Sequence, residues 1–335
     1  MSSALPLRAA LKQGALVTFA NWPAVLVEFG LWALYELALG VPVLGGAFMV
    51  AVLLGFDVSG LLGQGVRETA DLIIGSLTNA PVALAAFLIA LGTVAAGGLI
   101  LIFVVKAGTL AVLVASERAA PELHRVPIHM TLVRRTSRWS LAAVYGGVRR
   151  YGRRTASLAA WLCVAYLVIG GLTIGAITAG FHLAADSAWA SAWPLLVMLA
   201  TSGGVLAVTL ANLLFDLARV IVVTDDCSAT DALRRMWRFV HLDARQVIGI
   251  FSVTSATLAI AAVAWLVATA NVALIGFVPV VGLLVAPLQA AVWIVRGVLF
   301  QAVGLATLSA YQTQYRRFRE PGAAPAPVAF GGQRA

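Results

Sequence analysis

The sequence predicts an all-α, polytopic membrane protein with six transmembrane helices in three helical hairpins, each hairpin preceded by an interfacial amphipathic helix. Composition is the first reason: of 335 residues 61% are hydrophobic and only 11% charged, against about 25% charged in soluble domains. The second is a series of apolar segments long enough to cross a hydrocarbon core, which needs about 17 to 25 helical residues. The third is charge placement. Of 23 Lys and Arg, all but Arg67 and Arg296 fall in stretches assigned to one side, and the positive-inside rule makes that side cytoplasmic. The expected setting is a bacterial-type inner membrane with both termini cytoplasmic.

Leu7, Leu11, Gly14, Ala15 and Thr18 outline a weakly amphipathic helix broken near Asn21 and Pro23. Residues 1–13 have neither the short apolar core nor the small-residue cleavage site of a signal peptide, so the first apolar segment, 24–39, is expected to remain as a span. That span is expected to end in a turn at GVPVLG, residues 40–45. Residues 47–56 are apolar again. Were they a separate crossing, the arginine-rich stretch 106–154 would lie outside, so they read as re-entrant or as an extension of the first span. In the outer loop 57–80, Val66, Ala70, Ile73, Ile74 and Leu77 predict a surface helix carrying Arg67, Glu68 and Asp71.

The second span runs from Pro81 to Val105. A linker at 117–136 with His124 and His129 leads to a second amphipathic stretch, with Leu141, Val144, Tyr145 and Val148 on one side and Arg149, Arg150, Arg153 and Arg154 following. The third span is 156–180, where Gly171 and Gly175 predict a close helix approach. Trp189 and Trp193 mark the outer interface, and the fourth span is 194–223. Ser228, Ala229, Thr230 and Asp231 then form a capping-box start. Leu233, Met236, Trp237 and Val240 recur at helical spacing, opposite Arg234, Arg235, Arg238 and His241. Such a helix is suited to lie flat in the headgroup layer, apolar face down. The fifth and sixth spans, 246–275 and 283–310, are joined by a turn at FVPVVG, residues 277–282, and the tail 320–335 reads as disordered.

Residues 1–319 therefore form a single membrane domain with repeat-like units 1–116, 137–223 and 228–319, supported by the like-placed GVPVLG and FVPVVG motifs. Residues 212–235 have the pattern N-x-x-x-D-x-x-R, V-x-V, an acidic turn and a capped S-x-x-x-A-L-R-R helix. Asn212, Asp216, Arg219, Val220, Val222, Asp225, Ser228, Ala232, Leu233, Arg234 and Arg235 carry it. It resembles a feature of uncharacterised bacterial six-span membrane proteins, including those related to the membrane domain of glycerophosphodiester phosphodiesterases. The resemblance is close over this stretch and follows the rest in outline. It implies a membrane module and brings no catalytic residue with it.

Function classes narrow from here. No HExxH, GxSxG, Walker or GxGxxG pattern occurs, Cys163 and Cys227 form no CxxC pair, and the four histidines are scattered, so no enzyme, metal site or cofactor is expected. The arginines cluster beside apolar segments with few interleaved aromatics, which makes anionic membrane lipid, and not nucleic acid, the expected partner. Arg149, Arg150, Arg153, Arg154, Arg234, Arg235 and Arg238 are the expected lipid-facing cations. Glu28, Asn212, Asp216, Arg219 and Arg296 form a candidate intramembrane polar cluster, because ionisable residues in spans are costly. Arg296, about 10 Å deep on the helical rise, is expected to meet Glu28, about 6 Å deep. The alternatives are Asp216, reached if Arg296 snorkels inward, and inward snorkelling of Arg296 with no partner. Two functions follow: a non-enzymatic scaffold or lipid-handling module, or a secondary transporter whose polar pathway uses Glu28, Asp216 and Arg296.

Overall fold

A computed structural model describes residues 6–53, 80–119, 123, 136–185, 193–275 and 279–319, with backbone alone for 47–53, 183–185, 271–275 and 279–286. The surface helix of loop 57–80, the linker with His124 and His129, Trp189 and the tail lie outside these residues. The described chain is all-helical: α1 Leu7–Ala20, α2 Trp22–Leu53, α3 Pro81–Ala119, α4 Leu141–Ala185, α5 Trp193–Asp225, α6 Ala229–Leu242, α7 Ala244–Ile275 and α8 Pro279–Arg319. Six of them (α2, α3, α4, α5, α7 and α8) are long and apolar enough to cross a membrane, so this is an integral membrane protein.

The chain divides into two units, residues 30–102 and the remainder. In the smaller unit α2 and α3 run antiparallel: the ring of Tyr35 lies over Gly98 and that of Phe87 over Gly46. The expected turn at GVPVLG is absent. α2 runs through it with Pro42 inside and continues to Leu53, so residues 47–53 extend the first span. Proline removes one backbone hydrogen bond, but a lone apolar helix in lipid has no better way to satisfy its remaining backbone groups. Pro279 instead opens α8, where a missing N–H costs nothing. Of the second motif, residues 279–282 begin a helix, and residues 277 and 278, where the turn is expected, lie outside the described residues.

In the larger unit α4 packs antiparallel on α5, and α7 on α8, while α1 lies against α8 and α6 against α5. The Thr173 side chain sits over Gly204 and Leu196 over Gly180. Gly171 and Gly175 meet nothing within 4 Å; their face of α4 is exposed, so the expected close approach is made elsewhere. It occurs at Gly108 and Gly147, where a Cβ on Gly108 would lie 2.5 Å from the Val144 carbonyl oxygen and one on Gly147 would lie 2.9 Å from Gly108 Cα. It occurs again at Gly14, whose Cβ would stand 2.3 Å from the Ala306 carbonyl oxygen. α1 is therefore docked on α8, burying Gln13, Gly14, Val17 and Thr18, and does not lie free on the bilayer.

Burial in this unit is concentrated toward the basic ends of the helices, at Leu110, Leu113, Leu158, Leu162, Leu217, Ile221, Ile250, Leu305 and Tyr311. Farther along the same helices Leu167, Leu172, Leu199, Leu206, Ile260, Val263 and Leu266 are exposed, an apolar surface of the kind that lipid covers in a membrane span.

Two basic stretches that look alike in sequence differ in structure. Ser140 begins α4, its hydroxyl accepting the Ala143 N–H at 3.0 Å, and nothing stops the helix before Ala185. The second amphipathic stretch is therefore the first part of a 45-residue helix, about 68 Å long and far longer than the hydrocarbon core. α6 is a separate helix. The chain reverses at Asp226 (φ 52°), and Ser228 caps α6, accepting the Asp231 N–H at 3.2 Å and donating to the Asp231 carboxylate at 2.7 Å.

Candidate functional site

The polar groups of the larger unit converge on the turn between α5 and α6. Asp225 ends α5 with its side chain fully buried. It receives hydrogen bonds from Arg235 of α6 and from Arg319 and Tyr315 of α8, the last at 2.7 Å. Asp226, reversed by its left-handed backbone, faces the other way and pairs with Arg150 and Arg154 of α4. Arg118 of α3 donates to the Thr224 carbonyl oxygen at 3.2 Å. Two adjacent carboxylates and one carbonyl thus gather cations from four helices.

The electrostatics follow from this geometry. The hydrogen bonds from Arg150 and then Arg154 hold the Asp226 carboxyl below its usual range. The bond to Asp225 pushes the Arg235 guanidinium up, and burial raises the Cys227 thiol. The cations still outnumber the acids, so the junction remains positive.

Beside the junction is a cavity of about 310 Å³, lined by Arg235, Arg238, Leu242, Tyr315, Phe318 and Arg319, with Asp225 at its base. Phe239 supports it from α6, its ring centroid 5.4 Å from that of Tyr315 and 5.2 Å from that of Phe318. The buried face of α6 is Ala229, Ala232, Met236 and Phe239, turned from the expected stripe. Trp237 stays 56% exposed and edge-on to His241. The helix binds protein with one side, since α5 and α8 offer it an apolar wall, and so does not lie with its whole apolar face in lipid.

The seven expected lipid-facing arginines divide accordingly. Arg150, Arg154 and Arg235 are held by the acidic turn, whereas Arg149, Arg153, Arg234 and Arg238 are exposed.

The expected intramembrane cluster is only partly assembled. Glu28 is buried and accepts the Thr109 hydroxyl at 2.6 Å, with the charges of Lys106, Arg219 and Asp216 acting on it. Arg219, 2% exposed, pairs with Asp216 one turn before it and lies 3.8 Å from the Phe103 ring centroid, a close cation–π contact. Asn212 accepts the Tyr166 hydroxyl. Arg296 joins none of these. It sits over Trp265 and Phe300, at 5.2 and 5.6 Å, so neither the expected pair with Glu28 nor the alternative with Asp216 forms. Two aromatic faces on its own hairpin flank the guanidinium, and they attract it without the desolvation cost of an ion pair.

Several groups escaped the sequence reading. Asn21, fully buried at the α1–α2 joint, donates to the Val17 carbonyl oxygen and the Ser116 hydroxyl, both at 2.9 Å, and accepts the Arg138 N–H at 3.0 Å. Glu117 is buried beside Thr313 and Arg316. Single polar residues bonded across 95 or more positions leave no spacing to read. Asp226 was findable: two adjacent acids are conspicuous in a chain with 14 acids and 23 bases. Among the described residues no three His, Cys, Asp or Glu side chains are grouped to hold a metal ion. Compared with protein-family models, curated proteins and solved structures, the chain matches none.

Proposed function

We propose that the protein is a non-enzymatic module of a bacterial-type inner membrane, with both termini cytoplasmic, whose arginine-rich face engages anionic lipid. The observation that carries this reading is the division of the arginines. One set is locked to Asp225 and Asp226, which makes a rigid platform. A second set, Arg149, Arg153, Arg234 and Arg238, is exposed beside it. Each cation near an anionic surface contributes about 1 kcal/mol. The resemblance of residues 212–235 to bacterial six-span modules points the same way. The transporter reading has less support, because Arg296 sits over Trp265 and Phe300 and is not paired with Glu28 or Asp216 among the described residues.

The test has two parts. Reporters fused after Arg154, Arg245 and Arg319 should read cytoplasmic, and an external signal after any of them would overturn the orientation. Purified protein should retain phosphatidylglycerol in preference to phosphatidylcholine, and changing Arg149, Arg153, Arg234 and Arg238 together to Gln should abolish the preference. An unchanged lipid profile would sink the lipid reading.

A further inference from the structure

The cavity beside Asp225 differs from the rest of the basic face in being built. The Asp225 side chain is fully buried and accepts from three donors, and it meets Arg235 and Arg319 through one nitrogen of each. A guanidinium has five N–H donors in a rigid fork, so both residues are positioned by the carboxylate and keep most of their donors for another acceptor. Arg238 lines the same cavity from one turn farther along α6, and among the described residues it has no ion pair. Three guanidiniums against one carboxylate leave the cavity cationic, and guanidinium forks match phosphate oxygens in shape.

The remaining lining selects the kind of phosphate. Leu242, 74% exposed, stands on the rim, and Phe318 forms part of the wall. A free anion gains nothing from such surfaces, whereas a phospholipid offers glycerol and the first methylenes to them. A volume of about 310 Å³ is at the small end of ligand sites, suited to a headgroup and not to a whole lipid. We propose that this cavity is a specific site for a phosphate group carried by an anionic phospholipid, gripped by Arg235, Arg238 and Arg319, with Leu242 and Phe318 against its glycerol end.

The proposal rests on the lipid reading above but can fail separately from it. The full chain in neutral detergent is titrated with short-chain phosphatidylglycerol, short-chain phosphatidylcholine and inorganic phosphate, and bound species are counted by native mass spectrometry. Saturable binding of phosphatidylglycerol is expected, weakened about fivefold by Arg238→Gln and by a clearly smaller factor by Arg234→Gln, which belongs to the exposed basic face but lies outside the cavity. Leu242→Ser should weaken phosphatidylglycerol while leaving inorganic phosphate unchanged, and it serves in place of Arg238→Gln should that variant misfold. Equal losses with Arg234→Gln and Arg238→Gln would overturn the site while leaving a diffuse lipid-binding face. Inorganic phosphate binding as tightly as phosphatidylglycerol would reassign the cavity to a soluble anion. No discrimination between the two lipids would remove both the site and the broader reading.

Discussion

The start of α4 and the whole of α6 are both basic amphipathic helices at the same end of the larger unit, yet they are held in different ways. α6 is short and separate, delimited by the reversed Asp226 and the Ser228 cap at one end and by Asp243 at the other. It is pinned by Arg235 to a buried carboxylate and by Phe239 to the aromatics of α8. The start of α4 has no stop after Arg154 and is carried rigidly by the span that follows. Backbone-close packing of Gly147 on Gly108 and two half-exposed ion pairs to Asp226 fasten it. A basic stripe therefore says little about how a helix is attached. The caps and the small residues around it decide that.

If that comparison holds, Gly147→Leu should be the most damaging change. An added Cβ alone would stand 2.8 Å from Ala111 Cβ, and forcing two helix backbones apart costs about 3 kcal/mol. The melting temperature in detergent should drop sharply, and a drop no larger than that of Gly146→Leu, whose site is open, would count against the crossing. Asp225→Ala should come next, at about 2 kcal/mol, because it strands two cations that share one buried acceptor, though both are partly exposed and so partly solvated. Detachment of α6 should appear as faster hydrogen exchange over residues 229–242, with the start of α4 unaffected.

Ser228→Ala should cost about 1 kcal/mol through loss of the cap, again read as exchange in α6 alone. Asp226→Asn should have the smallest effect, below about 1 kcal/mol for exposed pairs, and it fixes a sign with pH. The folded Asp226 carboxyl lies below its ordinary value, so its contribution is complete above about pH 4 and is lost as pH falls through the depressed folded value. Wild type should lose part of its margin over Asp226→Asn on acidification. A margin that grew instead would mean that the carboxylate is not stabilised by Arg150 and Arg154.

The Glu28–Arg296 expectation shows where reading the chain stopped working. Depth along each helix can be counted from the sequence, and both residues could have been at compatible depths. The direction each side chain faces around its helix cannot be counted, and it placed Glu28 toward Thr109 and Arg296 toward Trp265. Gly171 and Gly175 failed for the same reason, since their spacing marks a flat face without saying whether a helix or lipid covers it. The acidic turn was visible as a pair of adjacent acids but not as a hub, because its partners come from α4, α6 and α8.

By itself the sequence determined six apolar helices, the break at Asn21, the capped start of α6 and the single basic end, because each follows from hydrophobic length, local backbone hydrogen bonding or local charge. Tertiary structure alone decided that α1 and α6 are docked on protein, and that Asp225 and Asp226 hold some of the arginines and leave others exposed. Those outcomes depend on which faces meet across long sequence separations. In a chain so uniformly apolar, hydrophobic periodicity cannot distinguish a face that meets lipid from one that meets another helix.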